Sequence, residues 1–317
     1  MENKFRIIIG ETENFSPKVI MGLKLLGEVI LKDIDKKNIP DVFKEFDVFW
    51  FRLKFKIEKS DFPEECRCKY IVCPVTGLDH IDLDECAKRG IQVLALRGEK
   101  EFLKSVRATA EHTIGLTLAL LRNIPSAVDS VKDGIWQRDL FKGREIYKKK
   151  VGILGVGRLG EITANLFKAF GAEVIGYDIN DFDESICKKA NTIEELLEDI
   201  DILSIHLSLN NGTTNFVDKE FLSKMKSSSI LINTSRGAIL NSGDLLWALQ
   251  AGKISGAALD VVNNEYYISD NELINYAKSN SNLIITPHIG GNTYESFEKT
   301  ELFLLSKLKA RIENEQN

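Results

Sequence analysis

The chain has 317 residues, 44% of them hydrophobic, and carries a formal net charge of −5. That length exceeds what one hydrophobic core usually fills, so two domains are expected, 1–100 with 292–317 as one and 101–291 as the other. The acidic balance, with no Lys/Arg block interleaved with aromatics, argues against a nucleic-acid partner; charges interrupt every apolar run well short of the ~18 residues of a membrane span, and the opening MENKFRIIIG has too short an apolar run for a secretory h-region, so a cytoplasmic protein is expected.

Apolar runs of strand length alternate with helix-period segments along the chain, which predicts an α/β protein of two doubly wound parallel-sheet domains, a Rossmann domain and a smaller flavodoxin-like one. In chain order the smaller series has strands at 5–9, 47–53, 69–73 and 91–95, with helices at 17–26 and 82–88. At 108–122 the residues are apolar or small almost throughout, a helix that must be buried on most sides; packing between domains and a homodimer interface both account for it. The second series has strands at 151–154, 173–177, 202–207, 229–233, 254–259 and 283–285, and helices at 158–170, 193–200, 218–225 and 242–251. A last periodic stretch, 293–312, carries Phe297, Leu302, Leu305, Leu308 and Ile312 and is expected as a surface helix. No flexible linker separates the two series, so a cleft between domains is the expected ligand site.

Five cysteines, Cys66, Cys68, Cys73, Cys86 and Cys187, are an odd number scattered over a long chain, which points to free thiols rather than a disulfide framework. Their C-x-C-x4-C opening followed by a long gap fits no common zinc spacing, and no metal is expected.

The most specific motif is Gly155-Val156-Gly157-Arg158-Leu159-Gly160, a G-x-G-x-x-G that follows an apolar strand and opens an amphipathic helix. Gly155 permits the tight turn, Gly157 lets the backbone approach a pyrophosphate, and Gly160 lets helix and strand pack closely; the helix N-terminus offers N–H groups to phosphate. Asp178 ends the next strand, where an acid accepts hydrogen bonds from the adenosine ribose and repels a 2′-phosphate. No cation follows it, so NAD is expected over NADP.

Three further segments lie at or near strand ends of the same domain: Asn233-Thr234-Ser235-Arg236-Gly237, Gly256-Ala257-Ala258-Leu259-Asp260 with Glu265 beyond it, and Thr286-Pro287-His288-Ile289-Gly290-Gly291. With Gly77-Leu78-Asp79-His80, Ala110-Glu111-His112-Thr113 and Gly134-Ile135-Trp136, this order resembles the D-isomer-specific 2-hydroxyacid dehydrogenase family from about 77 to 291. The resemblance is to the phosphoglycerate dehydrogenase-like short form, without the C-terminal regulatory domain of longer members.

The resemblance implies hydride transfer between NAD(H) and C2 of a D-2-hydroxy or 2-keto acid, with Arg236, Glu265 and His288 as the catalytic trio. Those residue types suit the chemistry. Arg offers a fixed fork of donors to a carboxylate, imidazole can hold or release a proton near neutral pH, and a carboxylate beside it stabilises the imidazolium. It also implies Arg158, Leu159, Thr234, Ser235, Asp260, Gly290 and Gly291 around the cofactor, His206 lining its cleft, and Val75, Thr76 and Gly77 holding the substrate carboxylate. His80 and the mid-helix His112 read as structural. Val75 in place of glycine, the long 96–103 link and the absence of proline after Glu265 depart from the family pattern and alter the rim of the cleft. An NAD-sensing regulator on the same fold is the alternative, disfavoured by the intact trio.

Overall fold

The structure, a computed structural model, describes residues 5–316. The chain divides into two compact units, the first formed by 1–106 and 292–317, the second by 107–291. In the first unit the elements run β1 (Phe5–Ile9), α1 (Pro17–Lys24), β2 (Gly27–Leu31), α2 (Ile39–Glu45), β3 (Val48–Trp50), β4 (Tyr70–Cys73), α3 (Leu83–Lys88), β5 (Gln92–Ala95) and α4 (Lys100–Leu103). Its five strands are all parallel, in the order β2-β1-β3-β4-β5, which is the flavodoxin-like doubly wound order.

The strands are near-continuous apolar runs because both faces are covered, and the period-2 alternation divides them between two cores. Ile8, Phe49, Phe51, Ile71 and Cys73 join Val42 and Phe43 of α2 on one face. Ile7, Ile9, Trp50, Tyr70 and Val72 join Val19 and Leu23 of α1 on the other.

The second unit begins with α5 (Ala108–Leu121) and α6 (Ile124–Lys132). It continues through β6 (Lys150–Leu154), α7 (Arg158–Ala169), β7 (Glu173–Tyr177), β8 (Lys188–Lys189), α8 (Ile193–Leu197), β9 (Ile202–Ile205) and α9 (Lys219–Ser223). Last come β10 (Ile230–Asn233), α10 (Ser242–Gln250), β11 (Gly256–Leu259), α11 (Glu272–Ala277) and β12 (Leu283–Ile285). Seven parallel strands stand in the order β12-β11-β10-β9-β6-β7-β8, a Rossmann sheet in which the winding reverses between β6 and β9. Leu203, Ile205, Leu231, Ala257 and Leu259 face the layer of α8–α11. Val151, Ile153, Ile202, Ile232 and Ala258 face α5 and α7.

Several boundaries differ from the sequence expectation, each for a local reason. The helix expected at 193–200 stops at Leu197, since Asp199 takes a left-handed φ of 59°. Asp218 is a cap rather than a helical residue, its side chain accepting from Phe221 N–H. The strand expected at 47–53 narrows to Val48–Trp50. The strands β2 and β8 and the helices α2, α4, α6 and α11 had not been expected.

The helix at 108–122 is buried largely inside its own unit, with Ala110, Thr113, Ile114, Leu116, Thr117 and Leu120 all covered. The closing stretch forms α12 (Tyr294–Gln316) and returns to the first unit, where Leu304, Leu305, Leu308 and Ile312 enter the core beside α1. Leu302, counted with the apolar stripe, instead faces outward.

α12 is also held by charge. Glu301, with no exposed surface, accepts from Arg52 Nη2 at 2.6 Å and from the Ser16 N–H at 2.9 Å, while the Arg52 guanidinium lies 4.0 Å from the Phe297 ring centre. Removing one member strands the other charge in the core. Glu301→Ala should therefore cost about 3–5 kcal/mol, read as a fall in the urea midpoint of the first unit's unfolding.

Candidate active site

The carboxyl ends of β6 and β9 lie side by side, Leu154 paired with Ile205, at the point where the winding of the sheet reverses. Gly155 follows with a φ of 94°, and a Cβ there would stand 2.9 Å from the His206 carbonyl carbon; both backbone conformation and space require glycine. A Cβ on Gly160 would come within 2.0 Å of the Gly155 oxygen, so this position sets how closely α7 approaches β6. Above Gly157 there is nothing within 4 Å. The three glycines thus differ in what they meet: two are closed by protein, and the middle one faces open space at the start of α7.

Asp178 follows β7 and accepts from Val156 N–H at 2.9 Å and from Asn180 N–H at 2.8 Å, which ties the acid directly to the glycine loop. Arg158 and Leu159 open α7, and partial burial draws the Arg158 guanidinium below its ordinary pKa. His206, after β9, pairs through Nε2 with Ser204 Oγ at 2.8 Å; desolvation brings its imidazole down to about 4, so it remains neutral at physiological pH.

A second set stands on β10, β11 and β12. Asn233, Leu259 and Ile285 are in register, so the residues that follow them, Thr234, Asp260 and Thr286, come abreast at the sheet edge. Asn233 Oδ1 accepts from the Ser235 N–H and hydroxyl, forming the turn that carries Arg236. Gly237 packs so tightly on the Val262 backbone that a Cβ would approach it to 2.0 Å.

His288 has a left-handed φ of 53°, rare for a residue with a side chain, and its Nδ1 lies 2.6 Å from Glu265 Oε2. Glu265 and His288 are therefore in contact; Arg236 stands on the neighbouring β10 loop, its Nη1 donating to Ser235 O at 2.8 Å.

Asp260 is the hub of this edge. It is 1% exposed, and its carboxylate accepts from Thr286 Oγ1, from Ile289 N–H at 2.9 Å and from Gly290 N–H at 2.7 Å. Burial pushes its pKa up, but hydrogen bonds from His112, Thr286 and these backbone groups outweigh that and hold it below the ordinary carboxylate value.

The D-isomer specific 2-hydroxyacid dehydrogenase family, NAD binding domain, matches residues 114–290. The chain belongs to this family. It is 35% identical to the D-3-phosphoglycerate dehydrogenase of Bacillus subtilis over 281 residues, 87% of this chain and 52% of that protein. It is 30% identical to the hydroxypyruvate reductase of Thermotoga maritima, over 89% of this chain and 90% of the relative. The crystal structure of D-lactate dehydrogenase from Aquifex aeolicus complexed with NAD and lactic acid superposes with a TM-score of 0.81 at 28% identity, covering 98% of this chain and 97% of that one. The chain spans about half the length of several of the phosphoglycerate dehydrogenases that it matches.

As in its family, the cofactor of this chain is NAD, and the open space over Gly157 fits a pyrophosphate laid against the first turn of α7. Val75, Thr76 and Gly77 belong to the first unit, in the loop after β4, where Val75 accepts from Leu96 N–H at 3.0 Å. Of the two histidines read as structural, His80 is buried against Cys73 Sγ at 3.4 Å, but His112 reaches the Asp260 hub. Only its polarity in an apolar helix marked it.

The glycines make a test. Gly157→Ala should leave the thermal midpoint within a few degrees while weakening NADH binding by about tenfold or more, because the methyl occupies ligand space; Gly160→Ala should lower the midpoint itself. Fluorescence titration and calorimetry separate the two effects.

Proposed function

We propose that this chain is an NAD-dependent oxidoreductase that transfers a hydride between NAD(H) and C2 of a D-2-hydroxy or 2-keto acid. The observation that carries the reading is the 2.6 Å contact between His288 Nδ1 and Glu265 Oε2, on a strand-end loop of the same sheet edge that bears the glycine loop. Bound NAD supplies the hydride acceptor in oxidation and, as NADH, the donor in reduction. With Nδ1–H donated to the Glu265 carboxylate, Nε2 is the nitrogen left to exchange a proton with the substrate oxygen. In oxidation the C2–H bond breaks as a hydride leaves, the hydroxyl proton passes to His288, and C2 becomes a carbonyl; reduction reverses each transfer. Glu265 stabilises the imidazolium formed on the way.

Arg236 pairs with the substrate carboxylate through its forked donors. Gly155, Gly157, Arg158, Leu159, Gly160, Asp178 and His206 hold the adenosine and pyrophosphate side of the cofactor. Thr234, Ser235, Asp260, Gly290 and Gly291 hold the nicotinamide side. The tie between Asp178 and the glycine loop supports a preference for NAD over NADP, since a 2′-phosphate would meet an anion already fixed in place.

In assays with NADH and hydroxypyruvate, glyoxylate or pyruvate, His288→Gln should lower kcat/KM by about 10²–10⁴-fold with NADH affinity almost unchanged. Glu265→Gln, which keeps shape but removes charge, should reduce it by about 10–100-fold. Undiminished turnover in His288→Gln would sink the acid/base assignment.

We further propose a homodimer, paired not through the buried α5 but through the neighbouring α6. Ile124, Val128 and Val131, at i, i+4 and i+7, form an exposed apolar stripe, continued by Trp136 at 86% exposure and Leu140. A self-complementary two-fold pairing, the commonest symmetry of homo-oligomers, would cover such a stripe. Sedimentation should give twice the 35.7 kDa chain mass, and Val128→Glu with Val131→Glu should return the monomer. A monomer in the unmodified protein at micromolar concentration rules the dimer out.

A further inference from the structure

His112 lies midway along α5, on a helix whose other inward residues are apolar, small or threonine. Its Nε2 stands 3.2 Å from Asp260 Oδ1 and 3.1 Å from Thr286 Oγ1. The Thr286 hydroxyl donates its one proton to Asp260 Oδ1 at 2.6 Å, so neither neighbour has a hydrogen to offer the ring. The proton must be on His112 Nε2. A donor half-buried on an apolar helix would be a liability without this pair of acceptors, and with them it fixes the orientation of the carboxylate.

What Asp260 does with that orientation is unusual. Its carbonyl accepts from His288 N–H at 2.8 Å, its Oδ1 from Ile289 N–H at 2.9 Å and its Oδ2 from Gly290 N–H at 2.7 Å. Consecutive backbone donors of the His288 turn therefore converge on one residue. The turn is the one in which His288 takes its left-handed φ, a conformation disfavoured by about 1–2 kcal/mol for residues with a Cβ and one that needs surrounding bonds to persist. The packing is tight as well: a Cβ on Gly290 would stand 2.9 Å from Asp260 Oδ2 and 3.2 Å from Thr109 Cγ2 of α5. Neighbouring Thr113 joins Thr234 Oγ1 at 2.8 Å, so one face of α5 underlies the ends of β10, β11 and β12 together.

We infer that His112 is a positioning residue for His288: its Nε2–H orients the Asp260 carboxylate, and Asp260 holds the left-handed turn that directs the His288 ring onto Glu265. The inference rests on the proposed acid/base role of His288. His112 touches neither Glu265 nor the proposed substrate groups, and acts only through Asp260 and Thr286.

The test compares His112→Phe, which keeps a flat ring and removes the donor, with His112→Gln, whose amide N–H can reach the same acceptors. In hydrogen exchange on the whole protein, the Ile289 and Gly290 amides should exchange about tenfold or more faster in His112→Phe, while β6 and β9 keep their protection; His112→Gln should restore them to within about threefold. With NADH and hydroxypyruvate, glyoxylate or pyruvate, kcat at saturating NADH should fall about 10–100-fold in His112→Phe with the KM for keto acid within about threefold, and deuterated NADH should show an isotope effect on kcat. Wild-type exchange at Ile289 and Gly290 in His112→Phe overturns the inference, as does a loss of equal size in His112→Gln. His288→Gln is measured alongside. Full turnover there overturns the acid/base reading, whereas an inactive His288→Gln beside wild-type kcat and exchange in His112→Phe overturns this inference alone.

Discussion

The register of β10, β11 and β12 is the constraint on which the proposed reacting edge depends. Because Asn233, Leu259 and Ile285 are aligned, Thr234, Asp260 and Thr286 arrive abreast, and a one-residue slip of β11 would turn Asp260 to the other face of the sheet. The slip is prevented by the alternation of the two cores, since Ala257 and Leu259 fill one face and Ala258 the other. Hydrophobic patterning thus places a carboxylate where its own burial would be costly. The bonds from Thr286, Ile289 and Gly290 then make that burial tolerable. Strand packing supplies the place, and the polar cluster specifies the turn.

The glycine loop solves the opposite problem at the same edge. Around Asp260 every space is filled, whereas at β6 the chain must pass the His206 backbone, turn sharply, and still leave room for a ligand at the helix start. Gly155 and Gly160 are needed because protein approaches them; Gly157 is needed because protein does not. The Asp178 bond to Val156 N–H joins the carboxyl ends of the two strands of this βαβ unit, so the acid proposed to choose the cofactor also stiffens the segment proposed to bind its phosphates. One side chain would then serve the proposed recognition and preorganisation together.

Much of this was legible in the sequence where a pattern repeats within one element. The α/β class, the parallel sheets and the glycine spacing all follow from short-range periodicity, and the boundaries of β1, β7 and β12 agree with it to the residue. Two of the missed elements have no inward apolar face: β8 is the pair Lys188–Lys189 at a sheet edge, and the apolar residues of α6 are exposed; α2 was missed although Ile39, Val42 and Phe43 are buried. Leu302 was drawn into the stripe of α12 by its apolarity, although the packed side is set by Leu304, Leu305 and Leu308.

For the site, residue types were legible and their partners were not. The residues of the Glu265–His288 pair are 23 positions apart, and His112 meets Asp260 across 148, separations over which no periodicity acts. The left-handed turn at His288 had no cue in the sequence either, since Pro287 restricts the residue before it and not the one after.

The long-range ties also bear on where the chain leaves the second unit. Its crossings fall between Val106 and Arg107 and between Gly291 and Asn292. The first leads directly into α5, which carries Thr109, His112 and Thr113; the second follows directly on His288, Ile289 and Gly290. Both departing segments are therefore anchored on the Asp260 cluster, one through the His112 ring and the other through backbone N–H groups. A substitution that loosens the cluster would act on two sites at once, the turn that bears the proposed acid/base histidine and the roots of both connections. On the inference drawn above, that dual dependence accounts for a half-buried histidine on a helix whose other inward residues are apolar, small or threonine. A leucine at 112 would pack as well against its neighbours, but it would leave Asp260 one donor short at the point where the proposed chemistry and the chain path meet.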